Sequence, residues 1–405
     1  MANTFDFVGK IRPITKTEKW DPISLQVFSS GWTNMTVDFN VLAGANRLRC
    51  RAQGGKWKND SMNVVKTMSK AITNEDGSKT KSEKIDIPWT KRFDADQIDK
   101  VAGYRRYTVD LGDRKMRSKL YDIVRANKDG SLTSEMLAQV GCSNIKEAEE
   151  ALNKNLERKR EFIAEYDFAE YVSKLVQSEK IKDKTFKISG LQDISYNPSK
   201  RQFYETWHVN KIILMEDDVE PSTDVKVDFF FGENCVNDDL FEEKGKILLD
   251  GWTSYYDSKV KGTGFKPVTI SVYTTERGCK RFKENFEADE DKVKNISLTV
   301  EAIDGAERRE ITIDDLTEDQ REDIECGLAT FEDIKRDMGW FIAGDSIKEL
   351  RFKTNSGHKP EDTTYTVGDM HVAREKVEQS VADAGEDLFN ENEESLPFDL
   401  DDELL

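Results

Sequence analysis

The stretch GWTNMTVDFNVLAGANRLRCRAQGGKWK, residues 31–58, decides the predicted fold of the N-terminal part of the chain. Polar and apolar residues alternate through TVDFNV (36–41) and through RLRCR (47–51), and the turn-forming AGAN (43–46) lies between them. Two alternating runs around a short turn indicate a β-hairpin that buries one face. The other face of its second strand carries three cationic side chains in a row: Arg47, Arg49 and Arg51.

Aromatic and basic residues lie at the far end of the same hairpin. Trp32 begins the first strand, and Lys56, Trp57 and Lys58 end the second. A cationic strand face flanked by aromatic rings is the combination that binds a sugar–phosphate backbone while bases stack on the rings. The alternative is a solvated outer face with the tryptophans packed in the core, and the sequence leaves both possibilities open.

The charge of the chain is strongly asymmetric. The 405 residues carry a formal net charge of −18. Residues 1–110 nevertheless contain 19 Lys and Arg against 13 Asp and Glu, whereas residues 185–376 contain 27 against 41. Charges act over a Debye length of about 10 Å at 0.1 M salt, so the basic N-terminal region can attract nucleic acid although the whole chain is acidic.

Composition also limits the class of protein. The apolar runs are too short for a membrane span and the N-terminus has no signal-peptide core, which predicts a cytoplasmic protein without membrane contact. The five cysteines are scattered without the spacing of a zinc site. We therefore expect reduced thiols, no metal and no other cofactor.

The sequence offers few groups for catalysis, and we expect no enzymatic activity. It has three histidines and no glycine-rich nucleotide loop. The alternative is an OB-fold nucleic-acid-processing enzyme or subunit with metal-dependent nuclease activity, in which Glu216, Asp217 and Asp218 would hold metal ions. These acids lie in a turn-like context without a paired histidine or lysine, which favours a solvated cluster.

The chain as a whole predicts a mixed, β-rich fold with a helical insertion, and its first domain spans residues 1–112. A strand at 3–14, the hairpin, a long polar loop, a short helix at 94–102 and a strand at 105–111 favour an OB-like β-barrel over a sandwich. This domain contains a second basic and aromatic cluster that is a candidate for DNA contact: Trp89, Arg105, Arg106 and Tyr107.

Residues 113–184 change to helical periodicity and are predicted to form a helical segment. A helix capped near Thr133 or Ser134, followed by Gly141 and a further helix, fits either a packed helical linker or a helix-turn-helix. Both interpretations stay open, although the packed linker is the commoner arrangement.

Strand periodicity returns at residue 185, and residues 185–356 are predicted to form a second OB-like β domain. FKISG (186–190) mirrors FDFVG (5–9), and residues 201–212 form a long alternating strand. Residues 294–352 either complete this domain or form a third element. The long strand and the turn before it supply further candidates for DNA contact: Tyr196, Arg201, Tyr204 and Lys211.

Residues 357–405 become polar and then acidic, which predicts a disordered tail. Residues 377–405 contain 11 Asp and Glu and no Lys or Arg. Isolated apolar residues among these acids are candidates for docking into a partner protein: Phe389, Phe398, Leu400, Leu404 and Leu405.

The chain resembles single-stranded DNA-binding proteins of bacterial and bacteriophage type. The resemblance rests on the opening FDFVGKI (5–11), the strands at 37–41 and 47–51, and the acidic tail with LPF (396–398). Residues 31–58, with RFD (92–94) and the segment 103–111, resemble large phage-encoded members of this class. The resemblance covers residues 1–110 and the tail, and covers 111–360 poorly.

This resemblance implies an OB-fold domain that binds single-stranded DNA without sequence preference and without catalysis. It also implies a role in DNA replication, recombination or repair, with replication or recombination proteins recruited through the acidic tail. A phage-encoded member would act in the cytoplasm of a bacterial host. The chain departs from the pattern in two respects, because it is longer than the compact bacterial type and its tail does not end in Asp-Ile-Pro-Phe.

Overall fold

The fold is taken from a computed structural model, which describes residues 3–71, 80–216, 218–338, 341–355 and 357–373. The five apolar docking candidates of the acidic tail lie outside these residues. The prediction of a β-rich fold is confirmed.

The strands are β1 (Thr4–Pro13), β2 (Ile23–Val27), β3 (Trp32–Ala43), β4 (Asn46–Trp57), β5 (Val64–Met68), β6 (Lys84–Pro88), β7 (Tyr107–Asp110), β8 (Lys159–Phe162), β9 (Thr185–Asn197), β10 (Gln202–Leu214), β11 (Ser222–Phe231), β12 (Val236–Asn237), β13 (Lys246–Asp257), β14 (Gly262–Tyr273), β15 (Lys292–Glu310), β16 (Phe341–Thr354) and β17 (Glu361–Thr366). The α-helices are α1 (Ala95–Lys100), α2 (Arg114–Lys128), α3 (Ser134–Ala138), α4 (Ile145–Leu156), α5 (Glu165–Val176), α6 (Phe241–Lys244), α7 (Glu276–Asn285), α8 (Glu318–Glu325) and α9 (Phe331–Met338).

Five strands close a first barrel. β1 pairs with β3, β3 with β4, β4 with β10, β10 with β9, and β9 returns to β1. The β4–β10 pairing is parallel, at Cys50–Trp207 and Arg51–His208, and the others are antiparallel. Every second side chain points into the barrel, which places apolar residues such as Phe39 in a fully buried core.

A second barrel repeats this circuit from residue 222 onward. β11 pairs with β13, β13 with β14, β14 with β16, β16 with β15, and β15 returns to β11. The β14–β16 pairing is parallel, at Ile270–Leu350 and Ser271–Arg351. Both barrels therefore have the spatial order first, second, third, fifth and fourth strand, which is consistent with OB-like β domains.

The two barrels are joined by strand pairing and by buried polar contacts. The first half of β1 (Thr4–Val8) pairs with β11 of the second barrel, and its second half (Lys10–Pro13) pairs with β3. Asn3 is 3% exposed, and it donates to Gln192 Oε1 at 2.8 Å and accepts from Thr253 Oγ1 at 3.1 Å. At a second joint Asn46, in the β3–β4 turn, pairs with Gly305 of β15. A Cβ atom at position 305 would lie 2.2 Å from a backbone oxygen of that turn, so this approach requires glycine.

Residues 58–184 are inserted between the third and fourth strands of the first barrel. α5 covers one end of the first barrel, and its residues Phe168 and Val172 pack into the core of that barrel. The approach of α5 is possible because Gly54 lacks a side chain, since a Cβ atom there would lie 2.2 Å from the carbonyl carbon of Glu165. β5 and β6 form a separate two-stranded sheet within the insertion.

The three helices α2, α3 and α4 pack around a small core of their own that includes Leu120, Ile123 and Leu152. α4 exposes Glu147, Glu149 and Glu150. Carboxylates repel phosphates, so α4 is not built like the recognition helix of a DNA-binding helix-turn-helix. The arrangement favours the packed helical linker.

The pairings divide the chain differently from the predicted domains. The sequence pattern assigns β9 and β10 to the second domain, whereas both complete the first barrel. The repeated motif FDFVG and FKISG marks two strands that pair with each other, with Phe5 opposite Gly190 and Gly9 opposite Phe186. The long insertion hides this partnership in the sequence. Residues 294–352, for which the sequence leaves two possibilities open, contain the two strands that close the second barrel.

The predicted tail also begins later than its composition indicates. Residues 361–366 form β17, which pairs with β15, and Met370 and Ala373 are buried. The reason is that this polar segment finds backbone partners on an existing strand, which composition does not reveal.

Candidate nucleic-acid interface

The outward side chains of β3, β4 and β10 form a continuous surface on the first barrel, here called the arginine face. On β4 it carries the three arginines of the predicted row, of which Arg47 and Arg49 are exposed and Arg51 is half-buried. His208 of β10 lies beside Arg51. Thr206 and Tyr204 lie on the same side of β10 as His208.

Asp38 organises two of these arginines from the neighbouring strand. Its carboxylate is 3% exposed. Oδ2 accepts from Arg49 Nη2 at 2.8 Å, and Arg51 donates from Nε to Oδ1 at 2.9 Å and from Nη2 to Oδ2 at 3.1 Å. Such charge-assisted bonds fix the orientation of both guanidinium groups. One buried carboxylate is therefore shared between two cations, and the row keeps a surplus of positive charge.

Arg47 lies at the end of the arginine face nearest the joint with β15, and Tyr204 lies further along β10. With its amide oxygen turned toward Arg47, Asn40 accepts from Nε at 3.0 Å and from Nη2 at 2.9 Å. Tyr204 is 41% exposed. The exposed ring of Tyr204 could stack a base, and the oriented Arg47 guanidinium group could neutralise a phosphate.

Trp20 covers the middle of the arginine face. The Arg49 guanidinium lies 4.4 Å from the centroid of the Trp20 ring, which is 36% exposed. Sequence reasoning missed this residue and Asp38. Trp20 lies in the loop between β1 and β2, and no local pattern shows over which strand a loop side chain will fold.

Trp32 and Trp57 form an aromatic pair at the other end of the hairpin. They lie opposite each other across β3 and β4, with ring centroids 5.2 Å apart and planes at 74°. The Trp32 ring lies against Gly55, where a Cβ atom would be 2.1 Å away from it. Both rings are half-buried, so each packs on its neighbour and also presents part of its surface to a ligand.

The two predicted lysines at this end have different surroundings. Lys56 Nζ lies 4.6 Å from the centroid of the Tyr166 ring on α5, so this lysine points away from the arginine face. Lys58 is exposed, and its backbone nitrogen donates to Gly31 O at 2.8 Å. The structure therefore keeps Lys58 near the tryptophan pair and separates Lys56 from it.

The second predicted cluster is used for packing within the insertion. Trp89 is 6% exposed, packs with Val65 and Ile87, and is covered by Arg92 at 4.0 Å. The Arg106 side chain is 9% exposed and donates to the backbone oxygen of Val101 at 2.8 Å. A base cannot stack on such a buried indole, and this guanidinium group is turned inward.

Tyr107 is held in the same region. Its hydroxyl donates to Glu165 Oε1 at 2.5 Å and its ring packs 5.2 Å from Phe168, and burial raises the pKa of Tyr107. Arg105 is half-buried beside Tyr104. None of the four residues of this cluster lies on the arginine face, because β7 runs along the far end of β10.

The remaining predicted residues lie on β9 and β10 or in the turn between them. Tyr196 packs 4.9 Å from Phe203, whose ring meets Tyr255 of the second barrel at 5.5 Å, so Tyr196 helps to join the barrels. Arg201 is exposed in the turn. Lys211 is exposed beyond an irregularity in the β9–β10 register.

His208 is the titratable group of the arginine face. Burial lowers its pKa below the ordinary value of 6.5, while the nearby Asp193 acts in the opposite direction. Arg51 also lowers the pKa and Asp38 raises it. His208 is therefore mostly neutral at pH 7, and an added negative charge nearby would favour its protonation.

The equivalent surface of the second barrel lacks an arginine row. Matching the parallel rungs of the two barrels equates the three arginines with uncharged residues: Arg47 with Pro267, Arg49 with Thr269 and Arg51 with Ser271. The same match places Arg351 where the first barrel has His208.

A carboxylate-centred group, here called the Glu349 cluster, takes the place of the row. Glu349 Oε2 accepts from Lys246 Nζ at 2.8 Å and from Ser271 Oγ at 2.9 Å, and Oε1 accepts from Arg351 Nη2 at 2.6 Å. Burial opposes ionisation, but these hydrogen bonds hold the pKa of Glu349 below its usual range. Arg351 lies 4.8 Å and Lys246 5.6 Å from the centroid of the Tyr273 ring, which is 52% exposed.

Within the described part of the chain, no group of three or more His, Cys, Asp or Glu side chains is placed to hold a metal ion. Of the acids considered for a nuclease, Glu216 pairs with Lys115 and Asp217 lies outside the described residues. No described helix is both long enough and apolar enough to cross a membrane.

No protein-family model matches the chain, and no curated protein matches it. One solved structure that is similar is the crystal structure of a deletion mutant of the single-stranded DNA binding protein from Thermus aquaticus. The match covers 75% of this chain and 86% of that chain, with 7% identity and a TM-score of 0.27. A likeness with so low a TM-score carries no argument about function.

Proposed function

We propose that the chain binds single-stranded DNA on the arginine face, without sequence preference and without a catalytic step. The observation that carries this proposal is the set of contacts around Asp38, which holds Arg49 and Arg51 in place beneath the exposed ring of Trp20. Oriented guanidinium groups suit phosphates, and exposed rings suit bases that are not already stacked in a duplex.

The burial of Asp38 favours this function over an ordinary solvated surface. Burying an ion pair costs desolvation energy, and such pairs often stabilise a fold no better than apolar side chains would. A solvated row of arginines has no need of a carboxylate that is 3% exposed beneath it. Orientation of the cations for an anionic ligand accounts for the arrangement.

We further propose that both barrels are OB folds. The order of the strands, with a parallel pairing between the third and fifth, supports this assignment in both circuits. The first OB domain would then comprise residues 3–214 with the insertion 58–184, and the second residues 222–354. In OB folds the face of the second and third strands binds oligonucleotides, and the arginine face occupies that position.

The test is fluorescence anisotropy of a labelled oligothymidine of about 16 nucleotides with the full chain, over a series of salt concentrations. Arg49→Gln and Arg51→Gln should each weaken binding and lower the salt slope by about 0.7, because each removes one phosphate contact. Lys280→Gln is the matched control, since Lys280 is exposed on α7 of the other barrel.

Failure of the unaltered chain to bind at low salt would refute the proposal. Equal losses for Lys280→Gln and the arginine variants would refute the assignment of the face. The oligonucleotide should also remain intact during incubation with magnesium, as expected for a protein without a catalytic step.

For the acidic tail, we propose that residues 377–405 compete with DNA for the arginine face and recruit replication or recombination proteins when DNA displaces them. Covalent attachment to the same chain would raise the effective concentration of the tail to about the millimolar range. Deleting 377–405 should therefore tighten DNA binding at low salt and abolish partner capture. Unchanged affinity would exclude competition, and unchanged capture by Phe398→Ala, Leu404→Ala and Leu405→Ala combined would exclude recruitment.

The setting that fits these properties is DNA replication, recombination or repair, in the cytoplasm of a bacterial host if the protein is encoded by a phage. The sequence resemblance supports this setting. Binding without sequence preference is what protection of single strands requires.

A further inference from the structure

We propose that the Glu349 cluster is a second subsite for single-stranded DNA, at which a base stacks on Tyr273, so that one strand crosses both barrels. This inference rests on the proposed function of the arginine face. It concerns a surface that the sequence pattern did not single out, since the candidates in the predicted second domain lie on β9 and β10 of the first barrel.

Tyr273 is exposed, and two cationic side chains hold its ring in place. The Tyr273 ring is 52% exposed. It ends β14, in which the preceding residues Val272 and Ile270 are buried. Arg351 and Lys246 contact it at 4.8 and 5.6 Å. Both cations are themselves fixed by Glu349, whose side chain is 12% exposed. The ring is therefore supported by a rigid polar group and keeps half of its surface for a ligand.

The Glu349 cluster lies near the joint between the two barrels. Ser271 and Tyr273 lie on the third strand of the second barrel and Glu349 and Arg351 on the fifth, which are the counterparts of β4 and β10, and Lys246 begins the second strand. The joint between the barrels brings the two surfaces together, because Asn46 precedes Arg47 and pairs with Gly305. Gly305 in turn lies opposite Ile347, two residues before Glu349. Arg47 is thus one residue from the joint, and Glu349 is two residues along β16 from the residue that pairs with Gly305.

The charge of the Glu349 cluster determines how the subsite would bind DNA. Lys246 and Arg351 share Glu349, and the positions equivalent to the arginine row are Pro267, Thr269 and Ser271. Such a surface neutralises few phosphates and releases few counterions on binding. The ligand class is an unpaired nucleotide held mainly by base stacking on Tyr273, as a continuation of a strand anchored on the arginine face.

The experiment compares oligothymidines of about 10 and about 30 nucleotides, because one OB fold covers about 4–16 nucleotides. Tyr273→Ala in the full chain should leave the affinity for the short strand within twofold and weaken the long strand about tenfold, the size expected for loss of one stacked base. The salt slope should stay unchanged. Tyr273→Phe should bind both strands like the unaltered chain, because it keeps the ring.

Tyr121→Ala serves as the matched control, since Tyr121 is 45% exposed on α2, outside both barrels. Equal affinity of Tyr273→Ala and the unaltered chain for the long strand would overturn the inference. An equal loss for both lengths, or a loss also in Tyr273→Phe, would overturn it too. If the unaltered chain binds neither strand, the proposed function itself fails, so the two failures are distinguishable.

Discussion

The arginine face and the Glu349 cluster occupy corresponding strands of two barrels with the same strand order, and each places one carboxylate between two cations. They differ in what surrounds that carboxylate. Around Asp38 stands a third arginine, bound by the uncharged Asn40, so positive charge is in surplus. Around Glu349 the equivalent strand positions are uncharged, so the cluster has one cation in surplus instead of two.

The difference shows how one scaffold can support two kinds of binding. A surplus of fixed cations binds phosphates and makes affinity strongly dependent on salt. A cluster with a smaller surplus of cations beneath an exposed ring favours stacking, which depends less on salt. Both barrels would then bind the same DNA strand. The first would supply most of the electrostatic attraction, and the second would extend the contact.

The largest effect should follow removal of either carboxylate. Asp38→Asn and Glu349→Gln should each lower the free energy of unfolding by about 1–3 kcal/mol, because partly exposed cations lose charge-assisted hydrogen bonds to a buried carboxylate. Urea unfolding at pH 7 measures this, with the exposed Glu243→Gln as a control. Only Asp38→Asn should change the affinity for a short oligonucleotide, and an equal change in both variants would break the distinction between the two faces.

Glu349 also sets a direction for acid sensitivity. Since its folded pKa lies below the ordinary value of 4.5, its contribution to stability is complete above that value and is lost as the pH falls through the lowered folded pKa. Glu349→Gln should flatten this part of the stability profile, and an unchanged profile would contradict the assignment.

The next effect concerns the aromatic rings of the first barrel. If bases stack on Trp20 and Trp57, single-stranded DNA should quench tryptophan emission, and Trp20→Ala or Trp57→Ala should weaken binding by about 1–3 kcal/mol. Trp20→Phe should recover most of the loss because it restores a ring. Intact folding with unchanged affinity in both alanine variants would remove these rings from the interface.

A smaller effect is expected from pH. Phosphates beside Arg51 would raise the pKa of His208, so binding takes up a proton and affinity should rise as the pH falls toward the pKa of His208, which lies below the ordinary value of 6.5. A tenfold change in the proton affinity of the imidazole corresponds to about 1.4 kcal/mol of DNA-binding free energy. The same anisotropy titration, carried from about pH 8 to about pH 5.5 so that it spans the pKa of an ordinary histidine, measures it. His208→Gln should be nearly flat over this range, and an unaltered profile would assign the effect to another group.

The smallest effect is a gain on the second barrel. Thr269→Arg places an arginine at the position equivalent to Arg49, and it should steepen the salt slope for a long strand by about 0.7. Ser258→Arg, in the exposed β13–β14 turn, adds the same charge away from the proposed path. A similar steepening in both variants would show that net charge, not position, is what matters.

Much of the first barrel follows from local patterns. Alternation predicted β3, β4 and the outward arginine row, because in a strand the face of a side chain depends only on the parity of its position. The same reasoning failed for Trp89, Arg106 and Tyr107. They are basic and aromatic neighbours in the sequence, but packing against Val65, Val101 and Phe168 decides their burial.

The sequence by itself determined the β-rich class, the β3–β4 hairpin with its cationic face, and the separation of basic from acidic regions, since all of these depend on neighbouring residues. Only the tertiary structure decided that β9 and β10 complete the first barrel, that Asp38 fixes two arginines beneath Trp20, and that Glu349 gathers Lys246 and Arg351. These contacts join residues that are distant along the chain or folded over from a loop. β9 and β10 pair with β1 and β4 across a long insertion because this pairing closes the barrel and buries its core. A local alternation pattern contains no information about such pairing.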